Sequence, residues 1–173
     1  MFTMKRIGVG AVCAAALALA AAAPAAAFPP VGTAVSGEAD ARGFDFGALT
    51  TCRLTLGGQV TSQEMWGGGT IRVDRVAFTD CSNGATVTAN GLPWTLGTAS
   101  NLAAAFYPPD VNITTARGTC RYSGSMQGWT NGSGTWFLNG DVYRRTAGCG
   151  GFDDLRTRVT LNLRDSDGRP IGL

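Results

Sequence analysis

The chain has 173 residues and no histidine, so it lacks the imidazole that serves as a general base, as the activator of a serine or cysteine nucleophile, and as a common zinc ligand. Its formal net charge is +2, and Lys5 and Arg6 near the N-terminus account for that excess. The remaining 12 arginines balance the 12 acidic residues, which argues against binding to nucleic acid or to an anionic membrane. The length predicts one domain.

Residues 1–27 have the pattern of a secretory signal peptide. Lys5 and Arg6 precede an alanine-rich apolar run, and the alanines at 25–27 form a small-residue cleavage pattern before Phe28. The apolar run is too short for a membrane-spanning helix, and no later stretch approaches that length. We therefore predict a secreted protein, extracellular or at the cell surface, with no membrane contact after signal cleavage.

Four cysteines follow this segment: Cys52, Cys81, Cys120 and Cys149. An even number of cysteines in an exported chain indicates disulfides, here with three possible connectivities. The first two cysteines are separated by the same distance in sequence as the last two, which favours Cys52–Cys81 and Cys120–Cys149. A four-cysteine zinc site is the alternative, but no CxxC pair is present, so we predict no metal.

Residues 28–47 are predicted to form an extended N-terminal segment, followed by a single β domain over residues 48–173. The segment opens with Phe28-Pro29-Pro30, and residues 35–41 are small and polar, a pattern compatible with a weak edge strand. Residues 98–105 are the only helix-tolerant stretch, and two prolines after them would end any helix.

The region 69–96 organises the predicted fold. Apolar residues alternate up to Val73 and then slip by one position to Val76, which predicts a β-bulge at Asp74-Arg75. A Ser-Asn-Gly turn, a β-branched strand and the apolar anchor Leu92-Pro93-Trp94 follow. Because proline cannot donate to a β-ladder, this anchor is predicted at a strand start or an edge.

The second half of the chain has a similar layout, with a glycine-rich hairpin tip at residues 129–134. The last strand has the clearest alternation, and its inward residues are Leu155, Thr157, Val159, Leu161 and Leu163. Short strands, glycine-rich turns and little helical periodicity predict an all-β fold, an antiparallel β-sandwich or barrel with two disulfides.

Two tryptophans are candidate ligand-binding residues. Trp66 and Trp129 lie in glycine-rich tips, where an exposed indole can stack on a sugar or anchor a partner protein. The alternative is that both rings fold back over the core. Trp94 and Trp136 lie in strand patterns and are predicted to be core residues.

Several residues match a known family pattern: Gly69-x-Ile71-x-Val73-x-x-Val76-x-Phe78, Cys81, and Ala89-x-x-Leu92-Pro93-Trp94. This pattern resembles small secreted bacterial proteins called alkane oxidation protein activators. The later motif Cys120-x-Tyr122-x-Gly124-x-x-x-Gly128 resembles related uncharacterised exported β proteins. The resemblance implies an exported protein associated with extracellular material and the biofilm matrix. Its motifs are structural, so it implies no catalytic residues.

We predict a non-enzymatic cell-surface or extracellular-matrix domain without a cofactor. Its partner would be a polysaccharide, the cell wall or another surface protein. A carbohydrate- or protein-binding module using Trp66 and Trp129 is one alternative. Another is a small hydrolase with Glu64 and either Asp153 or Asp154 as its carboxylate pair, which would need about 5 to 10 Å between the two groups.

Overall fold

The structure is a computed structural model that describes residues 28–45, 48–65, 67–149 and 153–172. The described chain consists almost entirely of strands, with a short 3₁₀ turn (Ser82–Gly84) after the third. The strands are β1 (Ala34–Asp45), β2 (Ala48–Gln63), β3 (Gly69–Thr79), β4 (Thr86–Ala89), β5 (Trp94–Thr98), β6 (Ala103–Tyr107), β7 (Asp110–Thr115), β8 (Gly118–Gly124), β9 (Met126–Thr130), β10 (Thr135–Arg144) and β11 (Asp154–Asp165).

Among these residues, no helix has the length and apolar character needed to cross a membrane.

The strands form an antiparallel sheet that closes into an eight-stranded barrel. Its order is β11-β1-β2-β3-β5-β6-β9-β10, and the pairing of β10 with β11 closes the ring. The predicted all-β class is therefore confirmed, and of the two predicted architectures the barrel is the one observed. The two predicted disulfides are also present.

Three barrel segments change partners halfway along the wall. The strand structure is interrupted between β4 and β5, between β6 and β7 at Pro108-Pro109, and between β8 and β9 at Ser125. On one side of these breaks, β5, β6 and β9 bridge β3 and β10; we call this the closed half. On the other side, which we call the split half, β4, β7 and β8 extend from β10 towards β3.

A seam separates β3 from β4 in the split half. The pairing of β3 with β5 ends at Val73, and no backbone pairing joins β3 to β4 in the described part of the chain. The predicted bulge lies beside this point. Gly57 pairs with Arg75 and Gly58 with Val73, which leaves Asp74 as the extra residue and confirms the prediction.

The N-terminal segment is more integrated into the fold than its sequence suggests. β1 lies between β11 and β2 and pairs with both along most of its length, so it is not a weak edge strand. Its inward residues are small because neighbouring side chains occupy the space. A Cβ at Gly37 would lie 2.6 Å from Leu163 Cδ2.

The helix-tolerant stretch at residues 98–105 forms no helix. Thr98 ends β5, a turn follows, and residues from Ala103 onward belong to β6. β6 pairs with β5 on one side and β9 on the other. These tertiary pairings override the helix propensity of the alanines.

Candidate ligand cavity

The closed half of the barrel is filled by side chains. Trp136, Leu161 and Leu163 are each 0 % exposed, and Ile171 from the C-terminal segment packs with them. The indole N–H of Trp136 donates to the Ile171 carbonyl at 3.2 Å. The prediction that Trp136 is a core residue is confirmed.

The split half encloses a cavity of about 560 Å³. Its floor is formed by Trp94, Phe106 and Met126, which are at most 2 % exposed. The indole N–H of Trp94 donates to the Asn90 carbonyl at 2.8 Å, so its hydrogen-bonding need is met outside the cavity. Trp94 is thus a core residue as predicted, while Leu92 of the same anchor is 37 % exposed.

The cavity wall is predominantly apolar. The lining side chains include Leu54, Val87, Val111, Tyr122, Val142, Leu155 and Val159. Val87 and Val111 keep 9 % of their surface exposed, whereas Leu161 and Leu163 in the closed half keep none. Side chains on opposite walls of the split half therefore do not fill the space between them.

The rim of the cavity is more polar. Asn83, Thr50 and the turn between β7 and β8 contribute to it. Arg42 and Arg117 are the charged residues among the described residues that line the cavity. Arg117 lies in the β7–β8 turn, whereas Arg42 occupies an exposed position of β1 between the inward-facing Ala41 and Gly43.

Both disulfides anchor chain segments at the rim. Cys52–Cys81 joins β2 to the segment after β3, where the Thr51 N–H also donates to Ser82 Oγ at 3.0 Å. Cys120–Cys149 joins β8 to the loop between β10 and β11. Because Cys52, Cys120 and Cys149 also line the cavity, the disulfides are part of its wall.

A buried carboxylate fixes the outer strands of the split half. Asp110, at the start of β7, accepts hydrogen bonds from Arg121 Nε at 2.9 Å and Nη2 at 2.6 Å. Asn90, at the break between β4 and β5, donates to the same carboxylate at 3.4 Å. The hydrogen bond from Arg121 lowers the pKa of Asp110, and burial opposes this shift only in part.

The predicted tryptophan site is described only in part. Trp66 lies outside the described residues, as does the predicted signal peptide at 1–27. Trp129, the first residue of the predicted tip, lies instead in β9, before the turn at residues 131–134, and is 51 % exposed. Its ring stacks on Phe137 of β10, with centroids 4.3 Å apart and planes 29° apart.

The structure does not bring the candidate carboxylates together. Glu64 follows β2 at the end of the barrel where β3 begins, whereas Asp153 and Asp154 lie at the start of β11, at the opposite end. Asp153 forms an ion pair with Arg144. These residues therefore do not form the close carboxylate pair that the hydrolase alternative requires.

The cavity is not evident from the sequence. Its wall residues have the same alternation as core residues, and alternation indicates which side chains face inward but not whether they meet. The available signal was residue size, because small residues such as Ala41, Gly43 and Ala85 lie in the split half.

Comparison with known proteins gives one family match. A family model described as alkane oxidation protein activator PraA/PraB-like matches residues 1–159. No curated protein and no solved structure matches the chain.

Proposed function

This chain belongs to the alkane oxidation protein activator PraA/PraB-like family, and we propose that it is a secreted, non-enzymatic binding protein of the cell surface or extracellular matrix. Its barrel would hold a small apolar molecule in the cavity of the split half. The family description refers to alkane oxidation, and an alkane belongs to this class of molecule.

The cavity is the observation that carries the proposal. Pockets of about 300 to 1,000 Å³ are typical of small-molecule sites, and an apolar cavity of about 150 Å³ is sufficient to bind benzene. If the number of carbon atoms scales with cavity volume as it does for benzene, a cavity of about 560 Å³ accommodates a chain of roughly 20 carbon atoms. Burial of such a chain against Trp94, Phe106 and the valines of the wall would supply the binding free energy.

Two further features support a secreted, non-enzymatic role. Disulfides persist mainly in oxidising compartments, which favours an extracellular location. The apolar wall favours binding of a molecule over its chemical conversion. The lining cysteines are not free thiols because they form disulfides, and Tyr122 is the only phenol among the described lining residues.

Binding is tested with the purified protein and the fluorescent probe N-phenylnaphthylamine. We expect saturable binding at one site and displacement of the probe by hexadecanol. Absence of saturable binding by the folded, oxidised protein would contradict the cavity function. Secretion is tested separately by expressing the full chain and fractionating the culture. Protein that remains in the cytoplasm would contradict the proposed location.

A polysaccharide-binding surface is a second candidate function. Trp129 is half exposed and stacks on Phe137, an arrangement that presents an aromatic face to a sugar ring. A groove of about 430 Å³ lies beside it, with Gly128, Gln127 and Glu64 among its lining residues. Loss of polysaccharide retention in Trp129→Ala, but not in Tyr143→Ala, would support this surface; equal retention in both would exclude it.

A further inference from the structure

We propose that the cavity selects an anionic single-chain amphiphile, with its hydrocarbon chain inside the barrel and its carboxylate at Arg117. This inference rests on the proposed function of the cavity and specifies the class of ligand.

The first observation is the charge of the lining. The described residues that line the cavity include two arginines, Arg42 and Arg117, and no aspartate or glutamate. Most of the wall below them is apolar and offers little to compensate a carboxylate. A long-chain acid would therefore bind most favourably with its chain buried in the cavity and its charged carboxylate at the rim.

The second observation concerns the position of Arg117. Its turn is held by the Arg117 N–H, which donates to Thr115 Oγ1 at 3.2 Å, and by a 2.9 Å hydrogen bond between the hydroxyls of Thr114 and Thr119. The ordered turn places Arg117 among the residues that line the cavity. Arg117 has no ion pair among the described residues, whereas Arg121 on the following strand is paired with Asp110.

A guanidinium at this position suits a carboxylate. Its planar group can donate two parallel hydrogen bonds to one carboxylate. Arg117 is exposed, so its ion pair with the ligand would be screened by solvent. We therefore expect a selectivity of about three- to tenfold from this contact, with most of the affinity arising from the chain.

The test compares hexadecanoate with hexadecanol, which have the same chain length but different head groups. Each ligand displaces N-phenylnaphthylamine from the oxidised protein at concentrations below those that form micelles. The matched variants are Arg117→Gln and Arg158→Gln. Arg158 is exposed on β11 and does not line the cavity, so both variants remove one positive charge from the barrel.

We expect Arg117→Gln to weaken hexadecanoate binding by about three- to tenfold while leaving hexadecanol binding unchanged. Arg158→Gln should change neither. Equal hexadecanoate affinity in the parent protein and Arg117→Gln would overturn the inference. So would a loss in Arg42→Gln alone, because the head group would then lie at the other arginine.

The two proposals fail in different ways. If hexadecanol displaces the probe but hexadecanoate gains nothing from Arg117, the cavity function stands and only the anionic head group is excluded. If neither ligand nor probe binds to the parent protein, both proposals fail.

Discussion

Trp94 and Phe106 meet edge to face in the middle of the barrel, with ring centroids 5.5 Å apart and planes at 73°. Trp94 begins β5 and Phe106 lies near the end of β6, so the pair lies where the wall passes from the closed half to the split half. Side chains fill the space on one side of the rings, and the cavity occupies the other. This aromatic pair therefore sets the depth to which a ligand can enter.

Filling the cavity should weaken binding without unfolding the barrel. Val87 lines the cavity from β4, and Val87→Phe would place a ring in the space that a ligand needs. We expect at least a tenfold loss of N-phenylnaphthylamine affinity, since about 1.4 kcal/mol corresponds to tenfold and a blocked chain loses more. The matched control is Thr88→Phe, which adds the same ring at the neighbouring exposed position. Equal affinity in both variants would place the ligand elsewhere.

Affinity should depend on the length of the ligand chain. Each methylene buried in the cavity contributes about 0.8 kcal/mol, or roughly a fourfold change in the dissociation constant. In a series of straight-chain alcohols, we therefore expect a steady gain that levels off at a chain of about 20 carbon atoms, when the cavity is full. Titration calorimetry would give the slope. A flat series would indicate a surface contact instead of enclosure.

The sequence predicts the outline of this barrel because period-two alternation reports which residues face inward. The alternation of β11 and the bulge at Asp74 are both observed. The two-sided pairing of β1 is not evident from its sequence because its inward positions are small, including Gly37 and Ala39, and leucines of neighbouring strands fill the space. The contribution of such a strand depends on residues far away in the sequence.

The cavity is harder to predict for a related reason. Val87, Val111 and Val159 have the pattern of core residues, and all three face inward. Whether opposing side chains touch depends on the barrel diameter and on the change of strand partners at Pro108. Those features arise from strand pairing across the whole sheet and leave no local signal.

Removal of the Cys120–Cys149 disulfide should weaken both stability and ligand binding. The cysteines are 29 residues apart, and a cross-link of that length contributes about 3 to 4 kcal/mol to the free energy of unfolding. Because both cysteines line the cavity, the Cys120→Ala, Cys149→Ala variant should also bind N-phenylnaphthylamine less tightly. Denaturant titration and probe binding would measure the two effects. Unchanged affinity in the folded variant would show that the rim does not depend on this link.

The ion pair between Asp110 and Arg121 should make stability depend on pH in the acidic range. Since Arg121 lowers the pKa of Asp110, the pair stabilises the fold above the unfolded-state pKa of about 3.9, and this stabilisation is lost as the pH falls through the lower pKa of the folded state. Asp110→Asn should therefore reduce the free energy of unfolding by about 1 kcal/mol near neutral pH, because Arg121 is half exposed and solvent screens the pair. Urea titrations from pH 7 downward should show this difference shrinking below about pH 4. Arg121→Gln serves as the control, and the double variant should lose less than the sum of the single losses. A difference that persists undiminished at the acid end would mean that Asp110 stabilises the barrel through packing and not through its charge.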